Sequence, residues 1–341
     1  MSSLSRCTIG DLVLDSGAIL PGVEIAYTTY GALNAERSNA VIVFHALTGD
    51  TNVSQWWGGL VGAGKLIDPA DDFVICLNAI GSCYGSTGPD SIAPHTGRPY
   101  GKDFPSITTR DIARSQLSAL AELGIRRARI GIGGSMGAMV LLELALLEPG
   151  FFDAVIPIAC GASHSAWRIA FSSVTRKTIE TIAAAGGSTD DAFVQGMRIA
   201  RQIGMTSYRC SEEFEQRFAR DRREDQFEVE HYLQHQGEKI AARFSPHSYL
   251  RLTQAMETYD VSEAIGSLSC PSVFVGIDSD VLYPKSEIRS LASRIPMAKY
   301  VTLHANCGHD SFLVAEATLA RLLTPFVTAI RQSSITEEIV Q

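Results

Sequence analysis

Residues 128–150, ARIGIGGSMGAMVLLELALLEPG, constrain this chain more than any other stretch. A short β-branched run, RIGIG, breaks off at glycines, and a run of strong helix formers, AMVLLELALLE, follows at once. Between them Gly133, Ser135 and Gly137 spell G-x-S-x-G. A strand that turns directly into a helix forces its turn residue into strained φ/ψ space, and only glycine neighbours let the backbone pass that close. The turn holds the Ser135 hydroxyl at the top of a sheet, at the positive end of the helix. The pentapeptide alone leaves two readings open, a nucleophilic serine or a phosphate-cradling turn. The rest of the chain decides between them.

A sheet around that turn is legible in the runs VEIAYTTYG, AVIVFHALTG, DFVICLNAIG, RIGIGG and DAVIPIACG, each ending in glycine or small polar residues. Apolar residues at helical spacing over residues 109–123 predict a helix between two of them. Continuous apolar strands separated by helices imply a mostly parallel sheet with helices on both faces. From 164 to 262 the character changes: strand-like runs almost vanish, and charge-rich stretches such as RCSEEFEQRFARDRREDQFEVEHYLQHQGEKIAARF read as amphipathic helices. The α/β pattern then resumes with CPSVFVGIDSD, a helix near 285–294, KYVTLHANCGHDSF and a closing helix to about 331. The expected organisation is one α/β domain formed by residues 1–163 and 263–341, with 164–262 inserted as a helical cap.

Length permits this, since 341 residues can bury one large core and carry an insertion. No apolar run approaches the roughly 18 residues of a membrane span, and the N-terminus lacks a basic stretch followed by an apolar one. Seven scattered cysteines without a C-x-x-C fit reduced thiols, so the expected compartment is the cytoplasm. A net charge of −8 argues against a nucleic-acid partner, and the absence of clustered His, Asp and Glu argues against a metal site.

A serine hydroxyl is a poor nucleophile near neutral pH unless a histidine takes its proton and a carboxylate orients that histidine. In the α/β-hydrolase fold these follow in the order Ser, Asp, His, each after a strand. Asp280 follows SVFVGI, and His309 follows YVTLHA. Asp278 competes with Asp280 for the acid role, and Asp280 is preferred. His45 falls in the loop expected to stabilise an oxyanion, while His231, His235 and His247 fall in the cap. The two oxyanion donors are expected at the backbone N–H groups of Met136 and Leu47. Four elements in the right order read as an α/β-hydrolase fold with a nucleophilic Ser135 and an inserted helical cap.

Such a site does not name the acyl acceptor. The segments HALTGD, WWGGLVGAGKLIDPADDFVICLN, GSTGPDSIAPHTGRPYGKDFPSITTRD, GGSMGAM, IARQIGMTSYR, YLRLTQAMETYD and GHDSFL resemble the homoserine O-acetyltransferase family, over about residues 10–330. The resemblance implies a homodimeric transferase working by ping-pong: acetyl-CoA acylates the serine, CoA leaves, and the side-chain hydroxyl of L-homoserine takes the acetyl group. It implies no bound cofactor, acetyl-CoA being a substrate. It carries the nucleophile to Ser135, the acid to Asp280, the base to His309, and substrate binding to Arg201 and Asp310. A guanidinium suits an α-carboxylate, and a carboxylate suits an α-ammonium.

Three departures from the family pattern stand out. Tyr84 occupies a position where the family often has a basic residue, Ala138 replaces a frequent glycine, and Trp167 and Arg168 replace an amide pair. At the pocket, Trp167 is expected to narrow the space and Arg168 to hold an extra carboxylate. L-serine as acceptor, a succinyl donor, and hydrolysis of an ester or thioester by the same triad are the alternatives. A non-catalytic binding protein is disfavoured by the complete Ser135, Asp280 and His309 set.

Overall fold

The computed structural model describes residues 4–340. Eight strands form one sheet: β1 (Ser5–Val13), β2 (Ile19–Tyr30), β3 (Ala40–Phe44), β4 (Phe73–Leu77), β5 (Ala128–Gly134), β6 (Phe152–Ile158), β7 (Ser272–Ile277) and β8 (Ala298–Leu303). Their order is β1-β2-β4-β3-β5-β6-β7-β8. The strands from β4 to β8 in that order pair in parallel, and β1 and β2 close one edge antiparallel. This is the α/β-hydrolase architecture expected from the sequence.

The longer helices are α1 (Thr109–Glu122), α2 (Met136–Leu147), α3 (Ala166–Ala185), α4 (Asp190–Tyr208), α5 (Ser211–Arg217), α6 (Glu228–Ala241), α7 (Pro246–Glu257), α8 (Lys285–Ala292) and α9 (Glu316–Val340). A capping box starts α1: the Thr108 hydroxyl accepts the Asp111 N–H, and the Asp111 carboxylate accepts the Thr108 N–H. The central strands are apolar throughout because both faces are covered. In β3, Val41 and Val43 pack with Trp57, Leu319 and Leu323 in one core, while Ile42 and Phe44 pack with α1 and α2 in the other. Among the described residues no single helix is long and apolar enough to cross a membrane.

Helices α3 to α7 all lie between β6 and β7. The chain leaves and rejoins the sheet layer at one place. The His164 N–H donates to the Tyr259 carbonyl at 3.0 Å and the Val261 N–H to the Ala162 carbonyl at 2.8 Å. A segment entering and leaving through paired neighbours can be inserted without disturbing the sheet. Of the eight strands in the sheet, β1 was not read from the sequence: it is an edge strand whose side chains are mostly exposed or partly covered, and so it lacks an apolar run.

Candidate active site

Ser135 stands between β5 and α2 with φ 55° and ψ −123°, a conformation that costs a non-glycine residue about 1–3 kcal/mol. Its surroundings hold it there. The Ser135 N–H donates to the Ile158 carbonyl of β6 at 3.0 Å. A Cβ at Gly133 would meet the Gly137 backbone at 2.8 Å and the Phe44 side chain at 2.9 Å; one at Gly137 would land on the Phe44 carbonyl. Both glycines are therefore required by close approach of β3 to the turn, as the motif implied.

His309 and Asp280 reach the serine from the ends of β8 and β7. His309 Nε2 lies 2.9 Å from Ser135 Oγ, and His309 Nδ1 lies 2.7 Å from Asp280 Oδ2. The other Asp280 oxygen accepts the N–H groups of Leu282 at 2.8 Å and Tyr283 at 2.9 Å. Gly308, at φ 64°, donates its N–H to the Ser279 hydroxyl, and a Cβ there would strike the Arg209 backbone. All three side chains are buried. Asp278 faces another partner, His304, at 2.9 Å.

Burial works against a charged His309, but the Asp280 carboxylate and its hydrogen bond, with Asp310 adding to them, outweigh it and raise the imidazole above its usual value. Such a chain can pass the hydroxyl proton to the imidazole while the carboxylate stabilises the imidazolium that results.

The serine opens onto a cavity of about 470 Å³ whose walls come from both the sheet layer and the helices between β6 and β7. Leu47, Arg201, His309 and Asp310 all line it. Met136 begins α2, where first-turn N–H groups lack intrahelical partners. Leu47 sits in the loop after β3, and His45 in that loop is buried, accepting the Ala79 N–H at 3.2 Å. Arg201 of α4 lies over the Tyr208 ring at 5.2 Å, and its Nε is buried without a hydrogen-bond partner among the described residues. Asp310 pairs with Arg209 at 3.3 Å, yet burial raises its carboxyl despite the nearby Arg201 and Arg209 charges.

Two expectations about the pocket are corrected. Trp167 does not narrow it: the side chain is 54% exposed, donates its Nε1–H to the Val281 carbonyl at 3.1 Å, and packs edge-on against Phe171. Arg168 offers no vacant cation to an extra carboxylate, because Glu287 already occupies its fork at 2.8 and 3.0 Å. Tyr84 receives a hydrogen bond from Arg243 at 2.6 Å, so a basic side chain from α6's trailing loop reaches the region where the family often places its own. Ala138 is fully buried in α2. Sequence reasoning missed Tyr283, whose ring stacks on His309 with centroids 5.2 Å apart; a tyrosine in a loop carries no periodicity that would reveal it.

A family model described as the α/β hydrolase fold matches residues 39–316. The chain is 43% identical over 326 residues to the homoserine O-acetyltransferase of Chlorobaculum tepidum, covering 92% of each chain. It is similar to the solved homoserine O-acetyltransferase of Staphylococcus aureus, with a TM-score of 0.79 and 28% identity over 96% of this chain and 95% of that one. An acetylester hydrolase from Corynebacterium glutamicum shares the fold with a TM-score of 0.84 at 21% identity, covering 96% of both chains.

Proposed function

This chain belongs to the homoserine O-acetyltransferase family of acyltransferases on the α/β-hydrolase fold, and we propose that it moves an acetyl group from acetyl-CoA to the side-chain hydroxyl of L-homoserine through an acetyl-Ser135 intermediate. In the first half-reaction His309 accepts the Ser135 proton as Oγ bonds to the thioester carbonyl carbon. The oxyanion accepts hydrogen bonds from the N–H groups of Met136 and Leu47, each worth about 10²–10³ in rate. The carbon–sulfur bond then breaks, and His309 returns its proton to the CoA thiolate. In the second half-reaction His309 takes the proton of the homoserine hydroxyl, whose oxygen attacks the acetyl-serine carbonyl, and gives it back to Ser135 Oγ. Asp280 keeps the imidazole oriented in both halves.

One observation supports this reading above the rest. The Ser135–His309–Asp280 chain opens into the cavity that also holds Arg201 and Asp310, a cation and a carboxylate suited to the two charged ends of an α-amino acid. Transfer, as against hydrolysis, follows if the amino acid's hydroxyl reaches the acetyl-serine before water does.

The test is a steady-state assay of CoA release from acetyl-CoA with L-homoserine, with L-serine, and with no acceptor. Release dependent on homoserine is the expected result. Preference for serine would reassign the acceptor, and equal release without any acceptor would make the enzyme a thioester hydrolase.

A further inference from the structure

One guanidinium ties together three parts of the molecule beside the Ser135–His309–Asp280 chain. Arg168 belongs to α3, yet only 2% of it is exposed. Its Nη2 donates to the Ser163 carbonyl at 2.8 Å and to Glu287 Oε1 at 2.8 Å; its Nη1 donates to the Leu282 carbonyl at 2.9 Å and to Glu287 Oε2 at 3.0 Å. The guanidinium carbon lies 4.2 Å from the centroid of the Tyr283 ring, and that same ring stacks on His309. Two of the residues Arg168 touches, Leu282 and Tyr283, also fix Asp280, whose Oδ1 accepts their N–H groups. A planar fork with four occupied donor directions is hard to replace: an ammonium could not serve two carbonyls and both oxygens of one carboxylate.

We propose that Arg168 is a positioning residue for the reaction: through the Tyr283 ring and the Leu282 carbonyl it orients His309 and Asp280, and it keeps a positive charge beside an imidazole that must be neutral to accept a proton. The inference rests on the Ser135–His309 chemistry proposed above. The groups around His309 set the expected sign. Asp280 and Asp310 favour its charged form, and Arg168 opposes it. Arg201 and Arg209 offset Asp310, Glu287 partly offsets Arg168, and the rings of Tyr208, Tyr283 and Phe312 pack around the imidazole. Removing the Arg168 charge therefore shifts the balance towards imidazolium.

The test is the pH dependence of the p-nitrophenolate burst from p-nitrophenyl acetate, which reports acylation of Ser135 and needs neither acetyl-CoA nor homoserine. In Arg168→Met, acylation slows about tenfold or more through lost alignment, and the acid limb moves to higher pH. Arg168→Lys brings the limb back towards wild type but recovers only part of the rate. Tyr283→Leu, which leaves the Arg168–Glu287 pair in place, also slows the burst. An unmoved acid limb in Arg168→Met overturns the proposal, because a merely structural arginine would lower the rate without moving it. Should that variant fail to fold, Arg168→Gln, which keeps a planar hydrogen-bonding group but no charge, is read the same way: an acid limb moved to higher pH supports the proposal and an unmoved one overturns it. A normal wild-type burst without homoserine-dependent CoA release would instead count against the acyl-transfer reading and leave this one standing.

Discussion

At the scale of single residues, Ser135 is held in a backbone conformation it does not favour. Ser135→Ala should abolish acylation while keeping that strain, whereas Ser135→Gly should abolish acylation and relieve it. The glycine variant is therefore expected to be more stable than the alanine variant by about 1 kcal/mol, the reverse of the usual order, as read from urea midpoints. Arg201→Ala should raise KM for the amino acid while leaving KM for acetyl-CoA nearly unchanged; an unchanged amino-acid KM would mean that another group grips the carboxylate. His309 must be neutral to act as base and its imidazole is raised, so kcat/KM should fall with acid through a limb above the ordinary histidine value of about 6.5. The order Ser135, Asp280, His309 was legible because each follows an apolar strand. Arg168 was not: its partner Glu287 is 119 positions away, and one substitution in a motif says nothing about which carboxylate meets it.

At the scale of elements, the site depends on β3 running against the turn between β5 and α2. Gly137→Ala drives a Cβ onto the Phe44 carbonyl, a backbone atom that cannot swing aside. A loss of about 1–3 kcal/mol in stability is expected, with a loss of burst amplitude because Ser135 is displaced; wild-type stability and burst would show that β3 can yield. The sheet's central strands were readable from sequence because burial on both faces makes them continuous apolar runs. The edge strand β1 was not, since its pairing with β2 comes from backbone hydrogen bonds and leaves half its side chains exposed.

At the scale of the whole molecule, the helices between β6 and β7 complete the cavity and are pinned to the sheet layer where they leave it. His164 sits at that junction, buried, its imidazole pushed down to about 4 by burial and then by the Arg168 charge. The unfolded chain binds this proton near pH 6.5 and the folded one only near 4, so stability should fall as pH drops through that window, by at most about 3 kcal/mol. His164→Gln should flatten this part of the urea-midpoint profile against pH; an unchanged slope would assign the loss elsewhere. The proposed transfer requires Ser135 to carry an acetyl group between two substrates. The most direct test is rapid-quench mass spectrometry of the enzyme mixed with acetyl-CoA, with and without L-homoserine. The expected result is one acetyl group on the peptide containing Ser135, discharged far faster by homoserine than by water. An enzyme that releases acetylated homoserine with no acetyl-Ser135 detectable at any quench time, or an adduct that homoserine does not discharge, would contradict it.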